Sequence, residues 1–176
     1  MRKELMELIP EFNLIQNKDL LQKTLKVWEH ALMENNWKIE DLLEMPFTLL
    51  IDNPPANIIN HTRAVTLTCL RIADVMIDVY KDKIQINQDY LIAGALLHDV
   101  GKLYEFKREG GKFIKSKIGK IIRHPISGAA LAYKFGIPEE IVHIIAAHSK
   151  EGETVKRTVE AIIVHHADFV NFEPFK

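Results

Sequence analysis

Residues 90–102 read YLIAGALLHDVGK. The run up to Leu97 is apolar almost all round a helical wheel, so a helix here belongs inside the protein rather than on its surface. His98 and Asp99 end that run side by side. Neighbours on a helix point about 100° apart, so both can reach one centre only where the helix ends or distorts. The stretch therefore sets a central helix with two metal-capable groups at its tip. The rest of the chain must supply their partners.

Outward from this helix the pattern stays helical. Residues 17–35 place Leu20, Leu21, Leu25, Trp28 and Leu32 at helical spacing behind an Asn17 or Asp19 cap. IEDLLE (39–44) predicts a short helix ended near Pro46, and IDNPPAN (51–57) a rigid turn. A long helix is expected over 57–80, with Val65, Ile72 and Met76 on one face, and the central helix begins near Asn87. In residues 104–116, Gly110–Gly111 separates two short alternating runs, which signals a β-hairpin. Helices follow over 125–135, opened by Pro125 and stopped by Gly136, over 138–148, and over about 155–169. The expected fold class is all-α, a helical bundle with one small β-hairpin. Residues 1–56 are expected to form an N-terminal helical extension packed on a core domain of residues 57–176.

Bulk properties bound the function. The chain has 176 residues, 47% hydrophobic and 27% charged, enough for one domain with a real core. A net charge of -1 does not advertise a polyanion partner. Cys69 is the single cysteine, which excludes an internal disulfide and a thiolate metal cluster. The N-terminus lacks a signal-peptide core and no apolar run reaches the ~20 residues of a membrane span, so a cytoplasmic protein with no membrane partner is expected. Eight histidines, six of them in the second half, leave nitrogen and carboxylate oxygen as the metal chemistry.

Collected by element, His61 lies early in the long helix, His98 and Asp99 end the central one, His124 precedes a helix, His148 ends the next, and Asp168 falls near the end of the last. Bundle-core metal sites are assembled in this way from facing helices. A lone histidine on a helix is more often packed or exposed than a ligand, and an HD dipeptide alone is weak. The ordered set H…HD…H…H…D is far more specific.

With this set the chain resembles the HD-domain superfamily of metal-dependent phosphohydrolases. The matching residues are His61 in NHTRAV, His98–Asp99 in LLHDVGK, His124 in HPISGA, His148 in AAHSKEG and Asp168 in HHADF. The likeness covers residues 57–172 and is nearest in flavour to the HDIG type, including the catalytic part of ribonuclease Y and related cyclic-phosphate phosphodiesterases. It implies that His61, His98, Asp99 and Asp168 hold a first metal and that His124 and His148 hold a second, with Asp99 bridging. Two departures stand out. Arg63 follows the first histidine by two residues where many members have it at three, and Ser149 stands where many have a second histidine. The chain has no GYP motif, so cyclic di-GMP hydrolysis is not expected.

Histidine with carboxylate suits Fe, Mn, Co, Ni or Zn better than Ca or an all-oxygen Mg cage. Two such divalent transition metals about 3.5–4 Å apart serve hydrolysis of phosphate esters through a metal-activated hydroxide. Asp99 and Lys102 are the candidate catalytic groups. Lys102 either binds a phosphate oxygen, supports the bridging carboxylate, or simply answers a helix C-terminus. Eight cations between Lys102 and Arg123, against Glu105 and Glu109, suggest a basic hairpin that attracts an anionic substrate, or an ordinary solvated face. Lys150 and Arg157 are further substrate-binding candidates. His165 reads as a donor behind the ligands or as packed, while His143 and His30 read as structural. The expected substrate is a small, nucleotide-like phosphorylated molecule. RNA is an alternative that net charge does not indicate, and a homodimer is a candidate assembly. Two other classes stay open: a di-iron oxygenase on the same scaffold, and a regulatory binding module without turnover.

Overall fold

The computed structural model describes residues 1–176. The chain runs through α1 (Arg2–Leu8), a 3-10 turn (Pro10–Leu14), α2 (Lys18–Glu34), α3 (Asp41–Glu44) and α4 (Ile58–Tyr80). Then come α5 (Gln88–Leu97), α6 (Lys102–Glu105), β1 (Phe106–Glu109), β2 (Lys112–Lys115), α7 (His124–Lys134), α8 (Glu139–Ala147) and α9 (Val159–Val170). The architecture is all-α with one two-stranded sheet. No helix is long and apolar enough to cross a membrane.

The helix starts follow from side-chain caps. The Asn17, Asn57 and Asn87 side chains accept from the backbone N–H groups of Leu20, Asn60 and Tyr90, opening α2, α4 and α5. Each satisfies a donor that has no partner inside its own helix. Thr158 does the same for α9, through the N–H of Ala161. The last helix therefore begins at Val159, later than the sequence pattern suggests, because residues 150–154 form a separate 3-10 turn. In the hairpin Phe106 pairs with Lys115 and Glu109 with Lys112. Gly110 and Gly111 both have positive φ, as the tight turn between such strands requires.

Helix α5 is the axis of the fold. Leu91 through Leu97 are all buried, and α4, α8, α9 and α2 pack around them. A cluster of 28 buried residues joins Leu5, Phe12, Trp28 and Leu42 from the first 56 residues to Leu96, Leu103 and Ile145. Two indoles tie the same halves by hydrogen bonds. Trp28 Nε1 donates to Leu96 O at 2.9 Å, and Trp37 Nε1 donates to Leu103 O at 2.8 Å. Those carbonyls lie where α5 and α6 end, so the tryptophans cover apolar surface and satisfy open acceptors together. A smaller cluster, built on Val65, Cys69, Ala95, Ile144 and Val164, locks α4, α5, α8 and α9.

Candidate metal centre

Helix α5 stops at Leu97 and the chain turns through residues 98–101 before α6 restarts at Lys102. That break lets His98 and Asp99 face one point although they are neighbours. Around the same point lie His61 in the first turn of α4, His124 at the start of α7, His148 just past α8 and Asp168 in the last turn of α9. The fold thus brings all six residues together, each from a helix end. His98 and His148 are fully buried, and Asp99 is 1% exposed.

Asp99 lies between two groups of imidazoles. Its Oδ2 is 3.5 Å from His61 Nε2 and 3.3 Å from His98 Nε2. Its Oδ1 is 3.3 Å from His124 Nε2 and 3.8 Å from His148 Nε2. Asp168 Oδ1 joins the first side, 3.0 Å from His61 Nε2 and 3.9 Å from His98 Nε2. Two triads that could hold a metal ion result, His61–His98–Asp99 and Asp99–His124–His148, sharing the one carboxylate.

The imidazoles are oriented from behind. His98 Nδ1 lies 2.6 Å from Ala95 O, His148 Nδ1 2.7 Å from Ile145 O, and His124 Nδ1 2.7 Å from Glu105 Oε2. A carbonyl oxygen only accepts, so Nδ1 of His98 and of His148 must carry the proton, and their Nε2 lone pairs project into the centre. These two Nε2 atoms and Asp99 Oδ1 are buried without any hydrogen-bond partner. Buried polar atoms are rarely left so, and three of them converging on this centre fit metal ligation. Four of the five shifted groups at the centre agree. Burial pushes the His148 imidazole down to about 3 and lowers His61 as well. Burial opposes ionisation of Asp99, but the Lys102 ammonium and His98 override it and hold the carboxyl well below the usual range. Asp168 is also lowered, against burial, by its hydrogen bond with His61. His98 goes the other way: burial lowers it, but the Asp99 carboxylate beside it prevails and raises it. Ionised carboxylates with neutral imidazoles at His61 and His148 are states that suit a divalent cation.

Lys102 is 8% exposed, and its Nζ donates to Asp99 Oδ2 at 2.6 Å and to Phe47 O at 2.5 Å. It therefore clamps Asp99 to the α3–α4 loop and leaves one of its three donors unused by these two contacts. The cleft encloses about 330 Å³ and opens onto His61, His124 and Asp168. Of the basic segment, Lys102, Lys115 and Arg123 line it, as does Lys150 beyond that segment. Arg108 turns away to Asp41 and Glu44, and Lys107 pairs with Glu109. Arg157 is placed otherwise than its reading as a substrate contact. It lies outside the cleft lining, and its guanidinium donates to Ala147 O at 2.7 Å and Ser149 O at 3.0 Å. The open carbonyls at the end of α8 take it instead. His165 Nδ1 donates to His148 O at 2.7 Å and completes that anchorage. His143 accepts from Thr158 N, His30 pairs with Glu34, and His166 is exposed.

Two residues of the site escaped the sequence. Glu105 receives both the backbone N–H and Nδ1 of His124, at 3.0 and 2.7 Å. Phe47 stacks on the His61 ring, with centroids 4.6 Å apart. No motif or periodicity marks either one.

Comparison with known proteins agrees with this geometry. The family model described as HD domain matches residues 58–170. Dihydroneopterin 2',3'-cyclic phosphate phosphodiesterase of Methanocaldococcus jannaschii is 39% identical over 113 residues, 63% of this chain and 44% of that protein. Ribonuclease Y of Acidothermus cellulolyticus is 35% identical over 89 residues, 51% of this chain and 15% of the relative. The chain spans less than half the length of these relatives. No solved structure matches.

Proposed function

The chain belongs to the HD domain family, and from that premise we propose that it is a metal-dependent hydrolase of phosphate esters or diesters, acting on a small nucleotide-like substrate. The observation that carries the proposal is the pair of triads joined by Asp99, with Nε2 of His98, Nε2 of His148 and Asp99 Oδ1 left without partners. His61, His98, Asp99 and Asp168 would hold one divalent transition metal, and His124 and His148, with Asp99, a second. When bound, the ions supply a nucleophile from water at neutral pH and stabilise charge on the phosphoryl oxygens.

The chain's own residues do the rest. Asp99 offers one oxygen to each triad, and Lys102 fixes that carboxylate by a 2.6 Å hydrogen bond. The buried walls keep bulk water from the centre, which strengthens every charge interaction inside. Lys115, Arg123 and Lys150 give the cleft the cations that phosphate oxygens seek. The name of the archaeal relative, a cyclic phosphate phosphodiesterase, supports a cyclic phosphodiester as the first substrate to try.

The test is metal content per chain, with turnover of 2',3'-cyclic AMP and p-nitrophenyl phosphate before and after chelation. Two ions per chain, as the two triads predict, with hydrolysis lost on chelation and restored by Mn, Co or Zn, is the expected result. Failure to load metal on reconstitution overturns the proposal. Iron-dependent oxygen consumption without hydrolysis would replace it with the oxygenase.

A further inference from the structure

Residues 47–50 precede the family match and residues 171–176 follow it, yet both stretches wall the cleft beside the metal ligands. Phe47, Leu49, Leu50 and Phe172 bring carbon to it, and Glu173 and Lys176 add one charge of each sign at its rim. Leu49 and Phe172 are half-buried at the cleft, and Phe169 joins them from the last turn of α9. Phe47 fixes this wall in place. It stacks on His61 and meets Phe172 edge-on, with centroids 6.3 Å apart and planes at 78°. The apolar wall is thereby rigidly joined to the metal centre.

A phosphate group has no use for such a wall. The cations available for its oxygens are Lys150, Lys115 beside Glu105 and Arg123 beside Glu151. Partly open aromatic rings contiguous with a cationic pocket fit a ligand that carries a flat apolar part a short distance from its phosphate. The volume, about 330 Å³, lies at the small end for ligand sites and suits one ring system with one sugar phosphate rather than a polymer.

We propose that Phe169, Phe172 and Leu49 form a subsite for a planar ring of a monomeric phosphorylated substrate, whose phosphate lies at Asp99 and the cleft cations. The proposal rests on the hydrolase reading only for where the phosphate goes. Stacking on an aromatic side chain predicts at least about fivefold tighter binding of the ring-bearing ligand.

The experiment compares AMP with ribose phosphate, the same molecule without its base, by titration calorimetry on the metal-loaded full chain. AMP is expected to bind at least about fivefold more tightly. Phe172→Ala should bring that ratio to within about threefold, and Phe172→Trp, which keeps an aromatic face, should preserve it. Phe169→Ala gives a second, independent loss of the ratio. Equal binding of the two ligands, or a ratio that survives both alanine variants, overturns the subsite. Turnover of 2',3'-cyclic AMP is scored apart. Ring-dependent binding without turnover would sink the hydrolase reading and support the subsite, while turnover without a ring preference would do the reverse.

Discussion

Glu105 accepts from two nitrogens of His124 while buried to 5% exposure. Burial opposes its ionisation, but the hydrogen bond from His124 prevails and lowers the carboxyl to about 2. An ionised carboxylate behind an imidazole fixes its tautomer and the direction of its free lone pair. Glu105→Gln should therefore weaken the ion held by His124 and His148 by about 10–100-fold, measured by metal titration, and leave the His61–His98 side much less affected. Equal affinity in both proteins would mean that Glu105 does not position His124. All six ligand candidates could be named from the sequence because each stands in a short motif at a helix end. Glu105 could not, since nineteen residues separate it from His124 and only the fold closes that gap. Arg157 shows the opposite limit. Its charge is visible in the sequence, but not the carbonyls of α8 that claim it.

At the scale of elements, α6 and α7 approach so closely that the glycine after the HD pair has no room to spare. A Cβ on Gly101 would fall 2.1 Å from His124 O and 2.8 Å from Gly128 N. Its φ is -63°, so space and not backbone strain demands glycine. Gly101→Ala should cost about 1–3 kcal/mol by overpacking, read as a lower unfolding midpoint in urea, and should loosen metal binding because it displaces the start of α7. Gly128→Ala, whose nearest neighbours would lie at 3.2 Å, should cost less. An unchanged midpoint for Gly101→Ala would refute this close-packing account. Helix starts were readable where an asparagine cap preceded an apolar face, as at Asn17, Asn57 and Asn87. The start of α9 was not, because residues 150–154 coil into their own turn and Thr158 is the effective cap. Helix α1 and the Pro10–Leu14 turn are too short to give a period.

Over the whole molecule, the family match begins at residue 58, but the core does not. Leu5, Phe12 and Trp28 share one buried cluster with Leu96 and Ile145, and buried Glu11 holds Arg63 of α4 at 3.1 Å. Residues 57–176 expressed alone should therefore fail to show a cooperative thermal transition by circular dichroism, since removing the first 56 residues bares one side of α5. A sharp transition in that fragment would mark residues 1–56 as a separable addition. The sequence suggested an N-terminal extension packed on the core, and the contacts between the two stretches include the shared apolar cluster and the two indole bonds. The same arrangement bears on how the protein is made. Synthesis proceeds from Leu5 toward Asp168, and Trp28 must wait 68 residues for the carbonyl of Leu96. His61 waits 107 residues for Asp168. The nascent chain thus carries an uncovered apolar face on α2 until α5 has left the ribosome, a window in which that face is open to aggregation.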